Sequence, residues 1–122
     1  MPKVIVIDDM HSVRALTKAL LTSLGCEVAG EAENGADGVE LFKSERPDLT
    51  LLDIEMPIKN GIDTLKAILK IDPDAQVVML TSVDNTFVAE DCILAGAKDY
   101  LNKGLSPEDM KARLQVEIDK IS

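Results

Sequence analysis

The stretch Val4-Ile5-Val6-Ile7-Asp8-Asp9 decides the fold, because an unbroken run of β-branched residues leads directly into two aspartates. A short continuous apolar run is typical of a β-strand that is buried on both faces. Strands of this kind belong to parallel sheets that helices cover on both sides. The stretch therefore predicts an α/β domain whose first strand lies inside the sheet and ends in acidic residues.

The rest of the chain repeats the same alternation of short apolar segments and amphipathic segments. The predicted strands are Lys3–Ile7, Glu27–Ala32, Leu49–Leu52, Gln76–Leu80 and Lys98–Asn102. The predicted helices are Ser12–Leu24, 35–45, 61–71, Asn85–Ala95 and 107–121, the last with Ser106 as N-cap and Met110, Leu114, Ile118 and Ile121 as its buried stripe. Strands that alternate with helices indicate a doubly wound parallel sheet. We expect a single domain that spans residues 1–122.

The first predicted helix has one apolar stripe. Residues at helical spacing on this stripe, which we expect to face the core, are Val13, Leu16, Leu20 and Leu24. The facet that we then expect to be exposed to solvent contains Arg14, Thr17, Lys18 and Leu21.

Composition excludes several classes of function. The chain has 13 basic and 22 acidic residues, a net charge of -9, and it therefore repels a phosphate backbone. We expect no direct binding of nucleic acid. Its apolar runs are too short to span a bilayer or to form a signal peptide, so we expect no membrane insertion and a cytoplasmic location. Cys26 and Cys92 match no metal-ligand spacing and are expected to be reduced, half-buried thiols.

Polar residues follow four of the predicted strands. Asp8-Asp9 follows the first, Asp53 the third, Thr81 the fourth and Lys103 the fifth. Sites in parallel α/β sheets form at the carboxyl ends of the strands, so these side chains are expected to meet. Carboxylates that lie close together repel each other, and a divalent cation removes that conflict. Mg²⁺ prefers a few carboxylates, water and phosphate oxygens, so the pattern predicts a Mg²⁺ site.

The same pattern suggests a chemistry for the site. A carboxylate can act as a nucleophile towards phosphorus, and Lys103 and the Thr81 hydroxyl are suited to hold phosphoryl oxygens. We therefore expect Asp53 to carry a covalently bound phosphoryl group. Each residue also has an ordinary interpretation when it is taken alone. Asp8-Asp9 could cap a helix, Asp53 could be a loop aspartate, Thr81 a strand threonine and Lys103 a surface lysine. Their arrival at one sheet edge from separate strands favours the site.

These residues resemble the receiver domain of two-component response regulators, and the resemblance covers the whole chain. The matching segments are 4–9, Leu51-Leu52-Asp53-Ile54-Glu55-Met56-Pro57 with Asn60-Gly61, Leu80-Thr81-Ser82, Ala95-Gly96-Ala97, Tyr100 and Lys103. The resemblance implies a flavodoxin-like, five-stranded sheet in the order 2-1-3-4-5. It also implies a stand-alone, chemotaxis-type regulator that is a phosphoacceptor, with only slow self-catalysed phosphotransfer and dephosphorylation, rather than an enzyme.

The resemblance also implies the roles of the acidic residues. Asp53 accepts a phosphoryl group from a histidine kinase or a histidine phosphotransfer protein. Asp9 and Asp53 bind Mg²⁺ directly, Asp8 binds it through water, and the main-chain carbonyl of Glu55 completes the set.

Further roles concern the phosphoryl group and the response to it. The resemblance implies that Thr81 and Lys103 contact the phosphoryl oxygens and that Ser82 adds a main-chain N–H. Tyr100 changes rotamer on phosphorylation and, with Thr81, switches binding to a downstream effector protein. Glu55 and Val83 stand at positions that tune the lifetime of the acyl phosphate.

One position departs from the family pattern, since Gly104 follows Lys103 where a proline with a cis bond is usual. A cis bond before a residue other than proline costs about 2.5–4 kcal/mol, so we expect a trans bond here. We also expect two docking surfaces. Phosphate donors are assigned to the exposed facet of the first helix, and effectors to the surface of the fourth helix, fifth strand and fifth helix.

Three alternatives remain open at this point. Within the family, the chain is a phosphorelay intermediate that passes its phosphoryl group to a histidine phosphotransfer protein. A haloacid-dehalogenase-like phosphatase also uses an aspartate nucleophile, but it requires its D-x-D motif after the first strand, where Asp8 and Asp9 are adjacent. A flavodoxin-like FMN binder requires a phosphate loop at the same point, where the two aspartates repel phosphate.

Overall fold

The computed structural model describes residues 1–82 and 86–121, in which five strands and five helices alternate. The strands are β1 (Lys3–Ile7), β2 (Glu27–Ala32), β3 (Leu49–Asp53), β4 (Val77–Thr81) and β5 (Asp99–Asn102). The helices are α1 (His11–Ser23), α2 (Gly35–Glu45), α3 (Gly61–Ile71), α4 (Thr86–Ala95) and α5 (Pro107–Ile121). The predicted alternation is confirmed, with bounds that shift by about one residue. The predicted helix start at Asn85 lies outside the described residues.

All strand pairs are parallel, and the strands are hydrogen-bonded in the order β2-β1-β3-β4-β5. This is the order that the family resemblance implies. The chain moves from β1 to one side of the sheet and from β3 to the other, which opens a crevice outside the carboxyl ends of these two strands. Ile7 pairs with Leu52, so the next residues, Asp8 and Asp53, reach the crevice at the same level.

The core consists of one apolar layer on each face of the sheet. Along β1, Val4 and Val6 face α1 and α5, whereas Ile5 and Ile7 face α2, α3 and α4. Side chains of successive strand residues point to opposite faces, and both faces here are covered. The continuous apolar runs of the sequence are therefore explained by burial on both sides. The edge strand β2 is only partly buried, in agreement with its weaker apolar pattern.

The predicted orientation of α1 is wrong. The residues that α1 buries are Arg14, Thr17 and Leu21, which were expected to be exposed together with Lys18. Leu16, which was expected to be buried, is 38% exposed. Leu20 and Leu24 are half-buried and pack at the margin of the layer. The side chain of Arg14 is buried because it donates hydrogen bonds to Glu31 and to the main-chain oxygen of Asp8. A polar residue therefore occupies a buried position that apolar spacing alone does not predict.

Helix α5 begins as predicted but carries one unexpected buried acid. The Ser106 hydroxyl accepts a hydrogen bond from the main-chain N–H of Asp109 at 3.2 Å, which confirms the N-cap. The predicted stripe is buried at three positions, whereas Ile121 is half-buried. Glu117 is only 2% exposed and accepts a hydrogen bond from Lys120, which also bonds Asp99 on β5. Lys120 therefore links Glu117, near the end of α5, to Asp99 of the sheet.

Cys26 and Cys92 are free thiols, and both are buried. Among the helices of residues 1–82 and 86–121, none is long and apolar enough to cross a bilayer.

Gly61 lies where α3 begins, directly behind the end of β3. A Cβ atom at this position would lie 2.3 Å from the main-chain oxygen of Asp53 and 2.6 Å from the Cα of Ile54. We expect Gly61→Ala to lower the free energy of unfolding by about 1–3 kcal/mol, because main-chain atoms must move to relieve the overlap. Chemical denaturation measures this loss.

The matched control is Gly104→Ala, where the nearest atom to the new Cβ is the side-chain oxygen of Asn102 at 3.1 Å. A side-chain atom can move more easily than the backbone, so we expect a smaller effect. Equal stability of Gly61→Ala and the wild type would contradict the close approach.

Candidate functional site

The polar residues expected at the carboxyl edge of the sheet do meet there. Asp8 follows β1, Asp53 ends β3, Thr81 ends β4, and Lys103 follows β5. The main-chain N–H of Lys103 donates to the carbonyl of Thr81 at 2.8 Å, which extends the β4–β5 pairing by one residue. The strand register therefore brings side chains from distant parts of the sequence to one edge.

Lys103 connects the two buried carboxylates. Its Nζ lies 3.3 Å from Oδ2 of Asp8 and 3.1 Å from Oδ1 of Asp53. One carboxylate oxygen from each of Asp8, Asp9 and Asp53 lies within 4.8 Å of the others. Asp8 and Asp53 are 0% and 2% exposed, whereas Asp9 is exposed. The three carboxylates thus converge with one ammonium group, which cannot neutralise them all.

An open cavity of about 370 Å³ gives access to this cluster. It is lined by Asp9, Met10, Asp53, Glu55, Met56, Ser82 and Lys103. The acceptor carboxylate expected from the sequence is thus at the bottom of a cavity that a small group can enter.

Burial and like charge disturb the titration of the site. Burial, followed by the negative charge of Asp8, raises the pKa of Asp53 to about 7, although Lys103 opposes the rise. Burial also raises the pKa of Asp8 above its usual value, against the hydrogen bonds from Met10 and Lys103. For Lys103, burial alone would lower the pKa, but the two carboxylates raise it above its usual value. A shifted carboxyl in a cavity is characteristic of a functional site.

The donor set fits Mg²⁺. Within the described part of the chain, Oδ2 of Asp53 is buried without a hydrogen-bond partner. A buried polar atom without a partner is costly, and a cation bound there would remove the cost. The surrounding ligands are carboxylate oxygens beside an open cavity, which suits an ion that retains water molecules. Asp9, which is exposed, can reach such an ion from the solvent side.

Thr81, Ser82 and Glu55 come from the two strand ends next to the acidic cluster. Thr81 is 4% exposed, and its hydroxyl donates to the main-chain oxygen of Ser82 at 3.0 Å. The main-chain N–H of Glu55 lies 3.4 Å from Oδ1 of Asp53. Ser82 and Glu55 line the same cavity as Asp53, and Thr81 follows Leu80, which pairs with Asp53 in the β3–β4 register. The roles assigned to the Thr81 hydroxyl, the Ser82 N–H and the Glu55 carbonyl stay predictions.

Tyr100 lies on β5, away from the cavity lining. It is half-buried and packs against the apolar layer formed with α2, α3 and α4. Its main-chain N–H donates to Asp99 at 2.8 Å, and its carbonyl accepts from Arg113 at 3.4 Å. Its role as a switch stays a prediction. The expectation for Val83 concerns a residue that lies outside the described residues.

The departure at Gly104 leaves Lys103 in place. The Lys103–Gly104 bond is trans, as predicted. The main-chain N–H of Gly104 donates to the side-chain oxygen of Asn102 at 2.7 Å, a bond that proline could not make. This turn and the β4–β5 pairing hold the lysine without the usual proline.

For two residues named in the sequence analysis, Arg14 and Gly61, no role in the site was predicted. Arg14 donates from Nη1 to the main-chain oxygen of Asp8 at 2.6 Å. Gly61 allows the α3 terminus to approach the main chain of Asp53. A signal for Gly61 was available in the Asn60-Gly61 pair, but a buried arginine on a helix has no such local pattern.

A doubly wound parallel sheet with an acidic, lysine-containing cavity at its switch point defines a class of signalling domains. The chain matches the response regulator receiver domain over residues 4–115 and belongs to that family. It is therefore a receiver domain of two-component systems, a family of signalling phosphoacceptors rather than conventional enzymes.

Two relatives and two solved structures illustrate the similarity. The chain is 38% identical to the chemotaxis protein CheY of Thermotoga maritima, covering 98% of this chain and 97% of the relative. It is 41% identical to CheY of Bacillus subtilis, over 83% and 84% of the two chains. The receiver domain of Thermotoga maritima CheB has a TM-score of 0.86 at 30% identity, over 99% and 93%. CheY in a CheX-CheY-BeF3-Mg²⁺ complex from Borrelia burgdorferi has a TM-score of 0.87 at 27% identity, over 95% and 88%.

The match to the receiver family favours a receiver domain over the two other classes left open above, the haloacid-dehalogenase-like phosphatase and the FMN binder. Asp8 and Asp9 also occupy the position where an FMN phosphate loop would lie.

The raised pKa of Asp53 makes stability depend on pH in a defined direction. The native state holds a proton that the unfolded chain releases near pH 4, so this carboxyl stabilises the fold most at low pH. Its contribution is lost as the pH rises from about 4 through about 7. We expect the melting temperature of the metal-free wild type to fall more over this range than that of Asp53→Asn. Excess Mg²⁺ should reduce the fall, because it binds the deprotonated form.

Thermal unfolding followed by circular dichroism at several pH values measures both effects. Parallel pH profiles of the two proteins would show that Asp53 titrates normally, and a melting temperature indifferent to Mg²⁺ at about pH 7 would count against the metal site.

Proposed function

We propose that the chain is a phosphorylation-activated regulator that accepts a phosphoryl group on Asp53. The observation that carries the proposal is the state of the Asp53 carboxylate. One of its oxygens bonds Lys103, and the other is buried without a hydrogen-bond partner among the described residues, beside an open cavity. A carboxylate so placed lines a cavity that a small phosphodonor can enter, beside an ammonium group that suits phosphoryl oxygens.

The transfer is a displacement at phosphorus. A carboxylate oxygen of Asp53 attacks the phosphorus of a phosphohistidine, an O–P bond forms, and the P–N bond breaks as the imidazole leaves with the bonding electrons. The product is an aspartyl phosphate. Hydrolysis by water later releases inorganic phosphate and restores the carboxylate, which gives the signal a finite lifetime.

Lys103 and Thr81 act on the transferred group. The Lys103 ammonium already spans Asp8 and Asp53, so a phosphoryl oxygen on Asp53 would come within its reach. The Thr81 hydroxyl now bonds the carbonyl of Ser82, and rotation about its Cα–Cβ bond would release it to donate to the phosphoryl group. Charge-assisted hydrogen bonds of this kind are the strong ones.

Mg²⁺ is the cofactor that the acidic residues fit. Asp9 and Asp53 would hold it directly, Asp8 through water, and Glu55 through its main-chain carbonyl. When bound, the ion neutralises negative charge on the carboxylates and the phosphoryl oxygens, which otherwise repel each other. The Borrelia burgdorferi CheY complex, whose fold the chain shares, contains both Mg²⁺ and beryllium fluoride.

The phosphodonor is a histidine kinase or a histidine phosphotransfer protein. It must reach Asp53 through the cavity, whose lining includes Met10, 48% exposed, at the start of α1. The outward face of α1 next to this entrance presents Ala15, Leu16 and Ala19. This face replaces the facet with Arg14, Thr17 and Leu21, because those residues are buried.

The downstream partner is assigned to the surface of α4, β5 and α5. On α4, Phe87 and Leu94 are 83% and 86% exposed and lie two turns apart on the same face. Thr81 ends the strand that precedes α4, and Tyr100 lies on β5, so the phosphoryl group can influence this surface directly. The named relatives favour a chemotaxis-type effector. Transfer onward to a histidine phosphotransfer protein remains the alternative within the family.

The acceptor assignment is tested with Asp53→Asn. We expect acetyl phosphate with Mg²⁺ to add one phosphoryl group to the wild type and none to this variant, because an amide is not a nucleophile of comparable strength. Intact-protein mass spectrometry measures the gain. The control is Asp63→Asn, an exposed aspartate in the first turn of α3, which should be labelled like the wild type.

Labelling of Asp53→Asn at the wild-type rate would place the acceptor elsewhere. Failure of the wild type itself to be labelled, by either acetyl phosphate or a phosphorylated kinase, would contradict the proposed function.

The switch is tested by nuclear magnetic resonance with beryllium fluoride and Mg²⁺ as a phosphoryl mimic. We expect amide signals of α4 and Tyr100 to shift strongly and those of α2, which packs against β1 and β2 at the other edge, to shift little. In Thr81→Ala the shifts near Asp53 should persist while those of α4 and Tyr100 shrink. Shifts of equal size in α2 and α4 would argue against a directed response.

A further inference from the structure

Arg14 joins three elements through one side chain. The residue is 9% exposed on the inner face of α1. Its Nη1 donates to the main-chain oxygen of Asp8 at 2.6 Å, and its Nε donates to Oε1 of Glu31 on β2 at 2.8 Å. One guanidinium therefore links α1, the end of β1 and the neighbouring strand.

The contact with Asp8 falls where the chain leaves the sheet. The N–H of Asp8 donates to the carbonyl of Ala32 at 3.0 Å, and its C=O accepts from Arg14, so the main chain is held on both sides of this residue. Because the peptide unit is planar, fixing the Asp8 carbonyl also fixes the N–H and Cα of Asp9. The direction in which Asp9 enters the cavity then depends on Arg14.

The positive charge of Arg14 is balanced away from the cavity. Hydrogen bonds from Lys18 and then from Arg14 hold the pKa of Glu31 below its usual value. Among the described residues, the hydrogen bond from the Arg14 guanidinium to the acidic site goes to the neutral carbonyl of Asp8. Its influence on the site is therefore mainly one of geometry, and a change in net charge alone should not reproduce its loss.

We propose that Arg14 is a positioning residue that sets the Asp8-Asp9 turn in the orientation that binds Mg²⁺. The inference rests on the Mg²⁺ site of the proposed function. Lysine is not an equivalent replacement, since its ammonium group cannot present donors at the two fixed positions from which Nη1 and Nε of Arg14 reach Asp8 and Glu31.

The test compares Arg14→Met with Lys18→Met in the full chain. Both variants remove one positive charge that contacts Glu31, but only Arg14 contacts Asp8. Isothermal titration calorimetry measures the Mg²⁺ affinity. We expect Arg14→Met to weaken binding by about 10–100-fold, the usual effect of losing a group that orients metal ligands. Lys18→Met should bind like the wild type, and Arg14→Lys should stay weakened although it keeps the charge.

A kinetic measurement separates positioning from general damage. Labelling of Arg14→Met by acetyl phosphate should be slow at limiting Mg²⁺ and recover at saturating Mg²⁺, because Asp53, Thr81 and Lys103 are unchanged. Slow labelling that saturating Mg²⁺ does not restore would overturn the inference and indicate a disrupted site. Equal weakening by Arg14→Met and Lys18→Met would overturn it in favour of net charge.

Two further results are decisive. If Arg14→Met does not fold, Glu31→Met replaces it, since this variant keeps Arg14 but removes the side-chain oxygen that accepts from its Nε. We expect weaker Mg²⁺ binding, and unchanged binding would overturn the inference. If Arg14→Met binds Mg²⁺ with wild-type affinity, this inference fails but the proposed metal site does not. If the wild type itself binds no Mg²⁺, the proposed metal site fails as well.

Discussion

The repulsion between Asp8 and Asp53 is the constraint on which the rest of the site depends. The β1–β3 register brings both carboxylates to one level, and both are almost fully buried. Lys103 compensates only part of the charge, and the pKa of Asp53 rises to about 7. A fold selected for stability alone would avoid such a pair. Here it creates an acidic site whose negative charge a bound cation would relieve, which is the basis of the proposed function.

The loop after β3 shows how the fold keeps this strained site in position. The N–H of Gly61 donates to the carbonyl of Ile54 at 2.8 Å, which turns the chain back immediately behind Asp53. The side chain of Asn60 caps α3 by accepting from the N–H of Asp63 at 3.0 Å. The loop that carries Glu55 and Met56, two residues of the cavity lining, is therefore anchored behind Asp53 by hydrogen bonds.

The sequence was sufficient to predict the sheet, the edge where the site forms and the side chains that meet there, because strand ends and apolar runs are local signals. It was not sufficient for the packing of α1 or for Glu117. Apolar spacing assumes that polar side chains face water, whereas Arg14 is buried with hydrogen-bond partners from other elements and Glu117 is buried with Lys120 of its own helix as partner. The contact between Arg14 and Asp8 arises from tertiary structure alone. Lys120, in contrast, lies three residues from Glu117 on the same helix, a spacing that is visible in the sequence.

The packing of α4 supports the proposed effector surface on that side of the sheet. Among its described side chains, α4 buries only the small residues Ala89 and Cys92, whereas α3 buries Leu65 and Ile68. Apolar burial stabilises by about 25 cal/mol for each Å², so α4 is held to the sheet less firmly than α3. An element with little buried apolar area costs less to displace. Because α4 follows the strand that ends in Thr81, the proposed turn of this hydroxyl towards a phosphoryl group would act on a helix that is held less firmly than α3.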